Sequence, residues 1–345
     1  MSVRRKLFWT IGAAAAAFVV GWFLVPKAGE LGHTWTRVSA GDKTWLLAAV
    51  GLEILSFAGY VVLFRAVFVR SQARINWRES YQITMAGLAA TRLLAAGGAG
   101  GVALTAWALK RSGMDGRTVT RRMTSFLVIL YGIYMAALLV DGVGLASGLF
   151  GVHASAAVTI APAAFGGIVI AAALLMARLR PVSVAPVDGS SRGFRARARH
   201  ITLSIAAGVR GALGLLRSRE PGLIGGFVWW GFDIAVLWAS FHAFGAAPPV
   251  AVIVMGYFVG TLANTLPLPG GVGGVDGGMI GAFLAFGVDP ATAVLAVLSY
   301  RAIAFWLPTL PGLVAYFQLR RTMGEWKAED EAAEPLVAPG RIAVA

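Results

Sequence analysis

Long apolar runs alternate along this chain with short polar segments that carry most of its arginines. A helix of about twenty apolar residues at 1.5 Å rise per residue covers the hydrocarbon core of a bilayer. Runs of that length predict membrane-crossing helices near 7–25, 44–64, 118–139, 158–177, 223–244 and 289–319. Two further apolar stretches are interrupted. Residues 79–96 run into GGAGG at 97–101, and an arm of only about eight residues follows before the basic loop at Lys110 and Arg111. Such an arm spans roughly 12 Å, far short of a bilayer, and both ends of the stretch are basic. It reads as a re-entrant hairpin entered from the cytoplasm.

The second interrupted stretch, 250–286, contains LPLPGGVGGVDGG at 266–278. Proline and glycine break the helix that hydrocarbon demands, and a break at membrane depth persists only where protein or a polar cavity shelters the freed backbone groups. This hairpin is expected to enter from the outside. The fold class predicted is an all-α polytopic membrane protein with about six full crossings, two re-entrant hairpins and both termini cytoplasmic.

The polar segments refine the map. Residues 178–200, with several arginines, Pro181, Pro186 and a Gly-Ser turn, read as a cytoplasmic linker. Residues 201–217 place Ile205, Val209, Leu213 and Leu216 on one face, which suits a helix lying in the membrane interface or an extension of the following span. Asp289-Pro290 has the chemistry of an N-cap and first helical residue. One integral domain over 1–320 is expected, and an acidic, disordered cytoplasmic tail over 321–345.

Composition agrees: of 345 residues 58% are hydrophobic and only 13% charged. A net charge of +14 raises the question of nucleic acid. Mapped onto the spans, however, Lys and Arg gather in cytoplasmic loops, as membrane topology requires. The exceptions are Lys27, Arg37 and Lys43 outside, and Arg92 and Arg301 within the membrane. Topology explains the charge, and no nucleic-acid partner is expected. Arg4, Arg5 and Lys6 precede the first apolar run, and no small-x-small cleavage site precedes Pro26, so that run reads as a signal-anchor helix in a multi-pass plasma-membrane protein.

Several kinds of chemistry are set aside. The chain has no cysteine, which excludes thiolate catalysis and Cys-ligated metal. His33, His153, His200 and His242 show no ligand spacing, so no metal is expected. There is no phosphate-binding G-x-x-x-x-G-K-[ST], and Gly98-Ala99-Gly100 lacks the strand that a dinucleotide fingerprint needs. No cofactor and no enzymatic activity are expected.

The halves of the chain resemble each other. GGAGGV at 97–102 matches GGVGGV at 270–275, MDG at 114–116 matches VDP at 288–290, and Gly51-Leu52-Glu53-Ile54 matches Gly231-Phe232-Asp233-Ile234. The matches fall in one order, giving repeat halves near 44–140 and 223–319. With hairpins entering from opposite faces, this is the inverted-topology repeat in which transporters place substrate near the bilayer midplane on broken helices. The candidate site follows from it. Gly97, Gly98, Gly100 and Gly101 in one half, with Pro267, Pro269, Gly270, Gly271, Gly273 and Gly274 in the other, would aim free N–H groups at the midplane, where a phosphate can bind. Arg92 and Arg301 add positive charge; Glu53, Asp233 and Asp276 are placed to hold an amino group or a proton; Asn264 caps the broken helix or meets substrate. The plainer alternatives are close packing for the glycines and a buried ion-pair network for the charges.

PLPGGVGGVDGG at 267–278, followed by GVDPATAVLAVLSYRAIAFWLPTLPG at 287–312, resembles the flippase-like transmembrane domain of lysylphosphatidylglycerol synthases and their stand-alone relatives. The resemblance is specific over about 264–312. It places the family's acid on Asp276, where Glu is more usual, and its arginine on Arg301; GGAGG departs from the pattern in lacking proline. It implies movement of a lipid, possibly aminoacylated, between leaflets. After Arg321 about two dozen residues remain, too few for the aminoacyl-transferase domain of bifunctional members, so synthase activity is not expected. Two other functions compete with a flippase that has membrane lipids as its partners: a non-transporting scaffold for a separate lipid-modifying or glycosyl-transferring enzyme, and a small-solute transporter.

Overall fold

The computed structural model of the chain describes residues 41–69, 74–93, 99–152, 154–178, 194–262 and 273–333, and within 194–200 the backbone only. The span expected near 7–25 and the break residues Gly97, Gly98, Asn264, Pro267, Pro269, Gly270 and Gly271 lie outside the described residues.

The helix α1, Lys43–Phe68, starts at Asp42, whose side chain accepts the Thr44 N–H at 2.8 Å, and ends where Arg122 donates to the Phe68 carbonyl at 2.7 Å. A capping box opens α2, Trp77–Leu93. There the Asn76 N–H donates to Glu79 at 3.0 Å and the Asn76 side chain accepts the Arg78 N–H at 2.8 Å. Then come α3, Ala99–Arg111, α4, Gly116–Ala146, and α5, Ala156–Ala177. The amphipathic α6, Phe194–Arg217, is followed by a 3-10 turn, Pro221–Leu223, and by α7, Ile224–Phe244. The second interrupted stretch gives α8, Val250–Leu262, and α9, Gly274–Ala285. Last come α10, Pro290–Arg301, a π turn at Ala302–Trp306, and α11, Thr309–Ala333.

Among the described residues, five helical segments are long and apolar enough to cross a membrane, and they coincide with five of the six expected spans. The chain is an all-α polytopic membrane protein. The expected N-cap at Asp289 is present: its carboxylate accepts the Thr292 N–H at 2.9 Å, as Asp115 accepts the Thr118 N–H at 3.0 Å ahead of α4. These backbone hydrogen bonds hold both carboxyls below the usual range for aspartate.

Three expectations are corrected and one is refined. The arm expected to have about eight residues is a helix of thirteen, because Ala99, Gly100 and Gly101 already belong to its first turn and Lys110 and Arg111 to its last. The helix expected over 118–139 continues to Ala146 and carries Asp141 inside it. The 289–319 run is one continuous span as expected but not a regular α-helix: a π turn interrupts it at Ala302–Trp306, just before Pro308, which has no N–H for the ladder. The tail expected to be disordered from 321 continues α11 to Ala333. Of the two readings of 201–217, an extension of the next span is excluded by the turn at 218–220, where Arg219 has φ 49°. Its buried face is Ala206, Gly208, Val209 and Ala212 against α4, while Leu216 is exposed.

The core is built on close helix pairs. The helices that carry Glu53 and Asp233, α1 and α7, pack along their length. They meet so closely that a Cβ on Gly225 would lie 2.4 Å from the Gly59 carbonyl oxygen. In lipid no hydrophobic force drives helices together, so small residues and dispersion contacts at such crossings carry association. Each hairpin packs on itself, α2 on α3 and α8 on α9. In addition α2 packs on α11, where the Thr322 hydroxyl donates to Gln82 at 3.0 Å, and α8 on α4, where the Tyr134 hydroxyl donates to the Phe258 carbonyl.

Candidate functional site

The close crossing of α1 and α7 brings two acids face to face. Glu53 and Asp233 are both buried, and each lies within electrostatic reach of the other and of Arg92. Asp233 is the more completely satisfied. Tyr257 of α8 donates to its Oδ2, and the Tyr300 hydroxyl of α10 lies 3.2 Å from each carboxyl oxygen. The Oε2 atom of Glu53 is buried and makes no hydrogen bond among the described residues. An unmet buried acceptor is rare, and each one asks for an explanation.

Arg92 arrives from the last turn of α2. Its guanidinium donates to the Phe305 carbonyl at 2.7 Å and to the Ala304 carbonyl at 2.8 Å. The local sequence explains why these acceptors are available. Ala304 lies four residues before Pro308, which has no N–H to offer it, and the Leu307 N–H is drawn back to the Ala302 carbonyl by the π turn. The Thr309 hydroxyl also donates to the Phe305 carbonyl, at 2.8 Å. A gap in the ladder of one half is therefore filled by an arginine from the other.

Arg301, at the end of α10, is paired differently. Its Nε lies 2.6 Å from Asp276 Oδ1. The other oxygen, Oδ2, accepts the Gly273 N–H at 3.0 Å and so caps α9. Gly273 has φ +82°, a conformation that residues with a Cβ rarely adopt. The ring of Phe305 lies between the two cations, 4.2 Å from the Arg301 guanidinium and 5.0 Å from that of Arg92.

The structure therefore brings Glu53, Arg92, Asp233, Asp276 and Arg301 into one cluster drawn from both halves of the chain. Gly273 and Gly274 start the helix beneath it. Gly101 belongs elsewhere: a Cβ there would lie 2.4 Å from the Gly87 carbonyl oxygen, so it serves the packing of α3 on α2. Gly100 sits beside it in the same turn. Sequence reasoning missed Tyr257, Tyr300, Phe305 and Pro308. Pro308 carried a usable signal, a proline seven residues after an intramembrane arginine; Tyr257 sits in an uninterrupted apolar run and carried none. Asp141, buried with its Oδ2 unpartnered, was missed because α4 was expected to end before it. Counting charges, three carboxyls face two guanidiniums. With all five ionised the cluster is one cation short, an imbalance that a low-dielectric interior penalises.

The chain matches the family model described as lysylphosphatidylglycerol synthase TM region over residues 9–312. Among curated proteins it is similar to a UPF0104 membrane protein of Methanothermobacter thermautotrophicus, 33% identical over 104 residues, covering 29% of this chain and 30% of that protein. A second match to a UPF0104 membrane protein of that organism is 36% identical over 90 residues, 26% of this chain and 27% of the relative. The UPF0104 membrane protein MJ1595 of Methanocaldococcus jannaschii is 30% identical over 99 residues, 28% of this chain and 30% of the relative. The matched part thus spans about a third or less of each relative's length.

Proposed function

Because this chain belongs to the lysylphosphatidylglycerol synthase TM region family, we propose that it is a lipid flippase or secondary lipid transporter of the plasma membrane. In this reading it carries a polar headgroup between leaflets while the acyl chains stay in lipid. The observation that carries it is the convergence of Glu53, Arg92, Asp233, Asp276 and Arg301 from helices of both halves. Charged side chains inside a membrane are costly, and a cluster that among the described residues sets three carboxyls against two guanidiniums, with Glu53 Oε2 unmet there, is poor structural cement.

The pairing of Arg301 with Asp276 suggests how a headgroup is exchanged. A phosphate competes with Asp276 for Arg301, and an amine competes with Arg301 for Asp276. A headgroup with both, as in an aminoacylated or zwitterionic lipid, replaces both halves of the ion pair at once, so neither charge is stranded. The extra cation fits the unbalanced acids, Glu53 first because its Oε2 is unmet. A proton could take the same place on the return.

The inverted repeat belongs to this proposal. Its support is the correspondence of contacts: α1 against α7, each hairpin against itself, and α2 on α11 as α8 on α4. Re-entrant hairpins entering from opposite faces, with both termini cytoplasmic, complete the arrangement. In such folds one half rocks against the other around a fixed midplane site.

Reconstitution tests the reading. The purified protein in liposomes is expected to accelerate loss of the inner-leaflet protection of fluorescent phospholipids against an impermeant quencher, an aminoacylated one most of all. Glu53→Gln and Arg301→Gln are expected to slow this at least tenfold while leaving the protein monodisperse. Unchanged rates in both variants would sink the shared-site reading. Absence of transport by the wild type, with stable capture of a lipid-modifying enzyme, would turn the assignment to a scaffold.

A further inference from the structure

A second polar feature lies away from the midplane cluster, at the C-terminal end of α5. There α5 and α6 enclose a cavity of about 430 Å³ lined by Leu174, Ala177, Arg178, Arg210, Leu213 and Arg217. Among the described residues that line it there are three guanidinium groups and no carboxylate. Arg210 and Arg217 are seven residues apart, two turns on one face of α6, with Leu213 between them; Arg178 is brought to the same cavity by a different helix. The bias of cytoplasmic loops toward positive charge requires a number of arginines, not their convergence on one cavity.

The surroundings favour a particular occupant. Arg210 reaches the Ala177 carbonyl at 3.5 Å, which holds its guanidinium at the end of α5. The rest of α5 is the least covered of the candidate spans, with Ile160, Phe165, Ile168 and Leu175 exposed along it. A cationic cavity thus opens at the end of a helix whose apolar flank is left uncovered by the described residues. Planar guanidinium groups are well matched to phosphate oxygens, and the leucines beside them offer a soluble anion nothing.

We propose that this cavity binds the phosphate-bearing headgroup of an anionic phospholipid, whose acyl chains lie along the exposed flank of α5. The site is separate from the transport site and does not depend on it. It would tether the α5–α6 corner to a leaflet rich in anionic lipid.

The test uses the full chain, purified and delipidated in detergent, titrated with phosphatidylglycerol or phosphatidylcholine and read by native mass spectrometry. The titration is made on the full chain carrying Arg301→Gln, in which the midplane site is disabled; there phosphatidylglycerol is expected to be retained and phosphatidylcholine not. In Arg178→Gln/Arg217→Gln retention should weaken by roughly 25-fold, from about fivefold for each arginine at a membrane surface. Leu213→Trp puts an indole between Arg210 and Arg217 and keeps all three arginines, and should also weaken retention; it decides the matter if the double variant does not fold. In that background the proposal is overturned by unchanged retention in both cavity variants, by equal retention of phosphatidylcholine, or by no retention of phosphatidylglycerol while the cavity is intact. Displacement of the lipid by equimolar inorganic phosphate would also overturn it, by marking a soluble-anion site.

Discussion

Arg92 and Pro308 are predicted to be energetically coupled although no side-chain contact between them is required. Arg92→Met removes donors from the Ala304 and Phe305 carbonyls. The Phe305 carbonyl keeps the Thr309 hydroxyl at 2.8 Å, so the group stranded is the Ala304 carbonyl. Leaving one such acceptor unmet costs about 1–3 kcal/mol, and because Arg92 is only partly buried the lower half of that range applies. Loss of the cation beside Glu53 and Asp233 adds a second penalty. Pro308→Ala returns an N–H to the position four residues after Ala304 and relieves the first penalty only. A double-mutant cycle should therefore show the Arg92→Met cost reduced by about 1 kcal/mol in the Pro308→Ala background. Equilibrium unfolding in bicelles by a steric-trapping assay gives the four free energies. Additivity within about 0.5 kcal/mol would refute the idea that Arg92 stands in for the missing amide.

Three further outcomes are expected. Asp276→Asn keeps an acceptor for the Gly273 N–H and loses only the charge opposite Arg301, whereas Asp276→Ala loses both; the Ala variant should be the less stable by about 1 kcal/mol in the same assay. Gly225→Ala places a Cβ 2.4 Å from the Gly59 carbonyl oxygen, and the forced separation of α1 from α7 should cost about 1–3 kcal/mol and slow lipid transport; an unchanged midpoint would show that the crossing is looser than described. The caps Asp115 and Asp289 have carboxyls held below their unfolded value by backbone N–H groups. Their contribution is therefore complete above the ordinary aspartate range near about 3.9 and is lost as pH falls through the lower folded value. Hydrogen exchange at Thr118 and Thr292, corrected for its intrinsic pH dependence, should lose protection only below that range.

The sequence alone was enough for the membrane class, for five described spans and for the cap at Asp289 that opens α10; the matching cap at Asp115 was found in the structure. Each of these follows from local composition: hydrocarbon length sets the apolar runs, and an aspartate three residues before a threonine amide caps whatever the rest of the chain does. The chemistry-bearing groups Glu53, Arg92, Asp233, Asp276 and Arg301 were also legible, because an ionisable residue inside an apolar run stands out by its cost. Their partners were not. Tyr257 and Tyr300 look like ordinary span residues until α8 and α10 are laid against α7, and nothing in the sequence around Arg92 shows that its guanidinium also fills the gap before Pro308. Pattern also misjudged the ends of elements: Gly101 read as part of a break and proved to be the contact that seats α3 on α2. Whether a glycine bends a helix or lets another approach, and whether a buried charge awaits a ligand or fills a backbone vacancy, depends on what lies opposite. Only the tertiary arrangement decides that, because in a low-dielectric interior every unmet polar group must find its partner among distant segments of the chain.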